Sequence, residues 1–252
     1  MVSALSRSER RKSMEKSTNL KGMTLLMKLL PIGNGCISVI LIAIAVNIFS
    51  AWNKYDMNKG ISGGVQIAMV MAMMCISMLV AISVSYNYTF ISTLPVKTSK
   101  IHVFMSAVVD CSFLIVAAVD AVIFVVFGMA EHIPVKAITY LIMYISSRIL
   151  LCAAIPPGGG KQDSHRTNVV SGFAGFFGYL LAAISNSVTA SVIDDNTSYS
   201  KSGKIAIAII LGVLFVSAVI TRILTNKGIK SKLRLMKVYK GKKKSKKAES
   251  YV

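Results

Sequence analysis

Three ionisable side chains, Asp110, Asp120 and Arg148, lie inside long apolar runs of this chain. An ionised group in hydrocarbon costs several kcal/mol unless it is paired or faces water, so each marks a structural lock or a functional position. Ser106, Asp110, Phe113, Ala117 and Asp120 follow one another at intervals of four, three, four and three. That spacing puts the polar members on one stripe of a helix, and the stripe is expected to face the interior of a bundle. Asp110 and Arg148 stand at matching depths from the same membrane side, which predicts an ion pair locking two neighbouring helices. Asp120 has no partner visible at its depth. It is expected to meet a water-filled path or a cargo molecule, or else to snorkel or bond a neighbouring hydroxyl.

Other chemistry is scarce. Asp110 and Asp120 are ten residues apart, about 15 Å along a straight helix, too far to share a proton as a catalytic pair. The four cysteines, Cys36, Cys75, Cys111 and Cys152, are widely spaced and read as small packing residues. His102, His132 and His165 fall one to a loop, so no metal cluster is visible. The stretch from Pro156 to Lys161 has the glycines and lysine of a phosphate-binding loop, but Ile155 and Gln162 stand where that motif needs a glycine and a hydroxyl. It reads as a turn. No catalytic residue, metal or cofactor is assigned to this chain, and any ATP-driven work must come from a partner.

The elements that hold these residues follow from composition. Of 252 residues, 54% are hydrophobic and 15% charged, and mean hydropathy is +0.63, which excludes an ordinary soluble enzyme. The net charge of +19 lies almost wholly outside the apolar runs, unlike the interleaved charge of a nucleic-acid binder. An all-α polytopic membrane protein is expected. Six segments reach bilayer-spanning length: 31–51, 63–86, 103–129, 135–155, 169–193 and 205–224. With an inside amino terminus, 24 of the 29 Lys and Arg fall on the cytoplasmic side, leaving Lys54, Lys59, Lys136, Lys201 and Lys204 outside. Both termini are therefore expected in the cytoplasm.

Three regions follow: a cytoplasmic start over 1–30, a six-helix domain over 31–225, and a basic tail over 226–252. Residues 19–30 read as an amphipathic helix lying in the headgroup plane, or as an early start to the first span. The tail is expected to be disordered, and either drawn to anionic lipid or serving only to enforce topology. In span five, Ser171, Gly172, Gly175 and Gly178 are small, and Ser171 with Gly175 forms a small-xxx-small pair for close helix approach. Span two carries Met69, Met71, Met73, Met74 and Met78, read as lipid-facing filler or as a pliable cargo surface.

Between spans two and three lies Ser92-Thr-Leu-Pro-Val-Lys-Thr-Ser-Lys-Ile101. Leu94, Pro95, Val96 and Lys97 with the following hydroxyl resemble the segment that permease subunits of type-2 ABC exporters carry at this point. In that family it forms a coupling helix docked into a separate ATP-binding subunit. The chemistry suits the role: Pro95 is pre-set for a first helical turn, Leu94 and Val96 give an apolar anchor, and Lys97 and Lys100 stay solvated or meet acidic groups. The resemblance extends to six spans, inside termini and length. It implies a bacterial plasma-membrane subunit that pairs with a second, identical or paralogous permease. Two ATPase subunits, which bind the ATP and Mg, would sit below, and the cargo would be an amphipathic peptide, antibiotic or lipid. The loop before span six is short where some relatives carry an added element. A secondary transporter or channel using Asp120 is the alternative reading; insertase and intramembrane-enzyme readings fit the span count and spacing less well.

Overall fold

The computed structural model of the chain describes residues 32–53, 68–80, 98–128, 130–154, 164–194 and 200–249. These residues are helical apart from short turns, with no strand among them. Six helices follow in order: α1 (Ile32–Asn53), α2 (Ala68–Val80), α3 (Thr98–Val126), α4 (Ile133–Ala154), α5 (Ser164–Asp194) and α6 (Lys201–Glu249). Three apolar windows are long enough to cross a membrane: Val103–Val126, Ala130–Ala153 and Lys201–Gly228. The apolar parts of the other three are shorter, Gly35–Phe49, Ala68–Val80 and Val169–Ser185.

The run expected over 103–129 forms an unbroken helix as far as Val126. Its end has a local cause. Gly128 adopts a positive φ of 70°, and its amide bonds the Val125 carbonyl at 3.0 Å, which turns the chain out of α3. A single 3-10 turn, Ala130–His132, then leads into α4, whose first turn holds Pro134 where a missing amide proton costs nothing. At the start of α6, Ser200 caps the helix by accepting the Gly203 amide at 3.2 Å.

The centre of the bundle is built from α2, α3 and α4, with Met69, Met73, Met105, Met143 and Leu151 fully buried. Met69, Met73 and Met74 of α2 are thus core, while Met71 and Met78 are exposed; one face of α2 packs inward and methionine fills it. Around this centre α4 packs most closely on α5 and next on α6, whereas α3 and α4 approach less closely. Small residues explain the first. A Cβ at Gly178 would overlap the Ser146 hydroxyl, and one at Gly175 would lie 3.1 Å from the Leu150 backbone nitrogen. Gly175 and Gly178 are therefore the glycines of closest approach to α4. Ser171 is half-buried, and Gly172 makes only an ordinary approach to Ala153 at 3.9 Å.

Large side chains hold α3 and α4 apart, and α6 crosses beside them with only 6% of its apolar window buried. Beyond that window α6 continues unbroken to Glu249, so the tail expected to be disordered is helical. It extends a helix already nucleated, and its many lysines, with Leu233, Leu235 and Met236, are good helix formers with no proline among them.

Candidate functional site

On α4, Lys136, Tyr140, Tyr144 and Arg148 recur at every fourth residue and form one polar stripe. It runs antiparallel to the stripe of α3, on which Ser106, Phe113 and Asp120 are buried and Asp110 and Ala117 half-buried. The two stripes meet in two clusters, one at each end.

At the first, the fully buried Arg148 guanidinium forms an ion pair with Asp110 Oδ1 through Nη2. Its Nη1 and Nη2 also donate to the Ser106 hydroxyl and carbonyl, each at 3.1 Å. Tyr144 donates its hydroxyl to Asp110 Oδ1 at 2.7 Å and presents its ring to Arg148 at 5.1 Å. Phe113 packs edge-on against Tyr144 with ring centroids 5.6 Å apart. The expected partnership of Asp110 and Arg148 is formed, and a second cation joins it: Arg222 of α6 places Nη2 2.8 Å from Asp110 Oδ2. One carboxylate thus joins three helices.

At the second cluster Asp120 is 2% exposed. It does have neighbours: Tyr140 and Lys136 of α4 line the same small cavity, and the Lys136 ammonium acts on it electrostatically. Tyr140 in turn accepts a bond from the Asn47 amide of α1 at 3.1 Å and lies 3.6 Å from the Met69 sulfur. Lys136, counted among the outer-loop lysines by charge alone, is instead inside α4 and buried, with its ammonium 5.9 Å from the centre of the Phe124 ring. Two partly enclosed cavities, about 360 and 260 Å³, line this seam. The larger opens between α3, α4 and α6 beside Asp110 and Arg222, the smaller between α3 and α4 beside Asp120 and Lys136. Ala117, Tyr140 and Leu141 line both, so the two cavities adjoin; the walls of each are largely apolar.

A third polar group ties α2, α4 and α5: the Ser77 hydroxyl bonds that of Ser147 and lies 3.3 Å from the Tyr179 hydroxyl. On α6, Thr225 donates to the Arg148 carbonyl at 3.2 Å. Of the cysteines, Cys36 is buried, Cys152 intermediate, and Cys75 and Cys111 are exposed rather than packed. No group of three metal-binding side chains occurs among the described residues. Leu94, Pro95, Val96 and Lys97, the amphipathic segment 19–30 and the turn 156–161 lie outside the described residues; Lys100 falls in the first turn of α3.

Sequence reasoning missed Lys136, Tyr140, Tyr144 and Arg222 as members of the seam. The signal was present for three of them in the four-residue repeat that ends at Arg148. Arg222 carried a weaker one, following Phe215, Ala218 and Val219 at helical spacing. No family model matches the chain, and no curated protein or solved structure matches it either.

Proposed function

We propose that this chain is the membrane subunit of a two-component ATP-driven exporter that moves an amphipathic peptide, antibiotic or lipid-like cargo. In this reading six helices cross the plasma membrane with both termini in the cytoplasm, two such permeases pair, and separate ATPase subunits bind from below. The observation that supports it best is the seam between α3, α4 and α6, where two apolar cavities adjoin and the larger is bordered by Asp110 and Arg222. A molecule with apolar and charged parts finds both kinds of surface there. The motor connection is proposed for Leu94, Pro95, Val96, Lys97 and Lys100, on the resemblance those residues carry. ATP-driven movement at that segment would turn the helices as rigid bodies.

The test is co-purification. An ATPase subunit should be retained by the wild-type chain and lost with Leu94→Asp, which puts a charge in the apolar anchor. Unchanged retention and ATP turnover in that variant would remove the docking claim. A second reading, a secondary transporter using Asp120, draws on the Asp120 carboxylate, whose Oδ2 is buried without accepting a hydrogen bond beside the smaller cavity. Transport driven by an ion gradient with no ATPase present would favour it.

A further inference from the structure

Two guanidinium groups share one carboxylate in the first cluster. Arg148 contacts Asp110 through Oδ1 and Arg222 through Oδ2, and no other acidic side chain contacts either arginine among the described residues. Among the described residues the cluster therefore carries one more positive than negative charge. It borders the larger cavity, whose other walls, including Phe113, Leu114, Leu141, Phe215 and Val219, are apolar. An excess cation beside an apolar slot wants an anion attached to a hydrocarbon tail. Arg222 supplies the reach, since its side chain is 55% exposed and it stands in the last two turns of the apolar window of α6. A long cationic side chain there extends to headgroup level.

We infer that the groove between α3, α4 and α6 is a binding site for an anionic phospholipid. The phosphate meets Arg222, and through it the Asp110–Arg148 pair, while one acyl chain lies along Phe113, Leu114 and Val219. The lipid completes the charge balance of the cluster and fills the gap beside α6, the least buried of the long helices. This inference rests on the chain spanning a bilayer and makes no use of an ATPase partner.

The test is native mass spectrometry of the purified full-length chain exchanged into equal amounts of phosphatidylglycerol and phosphatidylcholine with the same acyl chains. The wild type should retain phosphatidylglycerol preferentially. Arg222→Gln should lower that preference about fivefold, the value of one charge near a membrane surface, and Arg222→Lys should largely keep it. Lys227→Gln, an exposed charge on the same helix outside the groove, should leave it unchanged. Val219→Trp, or Leu114→Trp at an exposed wall position, should reduce retention of both lipids by filling the slot. Excess glycerol 3-phosphate should fail to displace the bound lipid.

Equal retention of the two lipids by the wild type would overturn the proposal. So would an effect of Lys227→Gln as large as that of Arg222→Gln, which would mean diffuse attraction, or displacement by glycerol 3-phosphate, which would mean the slot contributes nothing. If the tryptophan variants separate paired chains and leave lipid retention intact, the groove is a protein interface and the lipid site is wrong. None of these readouts depends on ATPase association, so the outcome stands apart from that of Leu94→Asp.

Discussion

Arg148 is fully buried and yet carries a charge, which is tolerable only because its two terminal nitrogens meet Asp110 and both oxygens of Ser106. Removing one member of such a group leaves the other charge stranded, and that penalty exceeds what the pair contributes over an apolar replacement. Arg148→Ala should therefore destabilise the folded chain by about 3–5 kcal/mol, read by chemical unfolding in detergent micelles. Asp110→Asn should cost as well, because both arginines then lose their carboxylate. Replacing both partners together, Arg148→Met with Asp110→Leu, should recover much of the loss. Unchanged stability in Asp110→Asn beside a collapse in Arg148→Ala would show that the arginine is held by Ser106 rather than by the ion pair. The pairing was legible from matching depths in two apolar runs. The part played by Arg222 was not, because nothing in a linear pattern says which helix lies beside α3.

At the level of helices, two kinds of interface divide the work. The α4–α5 contact is tight because glycine faces serine and leucine, so backbones approach closely. The α3–α4 contact is wide because tyrosine, arginine and phenylalanine stand between the axes, and the cavities are the space those side chains leave. Gly178→Leu should wedge α4 from α5 and cost about 1–3 kcal/mol as overpacking, measured by the same unfolding assay. Gly212→Ala meets nothing within 4 Å and should be neutral or stabilising by about 0.5–1 kcal/mol through improved helix propensity. A loss at Gly212 as large as that at Gly178 would point to general helix sensitivity instead of close packing. The small residues of span five were visible in sequence. Which of them touch depends on helix rotation, which sets Gly175 and Gly178 closest to α4.

Over the whole molecule, charge is the organising quantity. The basic residues beyond the apolar window of α6 and those at Lys97 and Lys100 are expected on one side of the bilayer, with Lys54 and Lys59 on the other. Single cysteines placed in a cysteine-free background at Lys97 and Lys246 should react with a membrane-impermeant maleimide only after the membrane is opened. One at Lys59 should react in intact cells. Labelling of the Lys97 position from outside would reverse the topology and end the coupling-segment proposal.

The apolar lengths and the α3 and α4 polar periodicities were written in the chain, because a helix's faces repeat every three or four residues and hydrocarbon admits few alternatives. The sequence alone therefore determined an all-helical protein with spans of membrane length and a charged stripe turned inward. Only the tertiary structure decided that Lys136 is buried beside Asp120, that one carboxylate serves two arginines, and that a groove lies along the seam. Those facts depend on how far apart helices stand and how each is rotated, which packing sets among side chains distant in the chain.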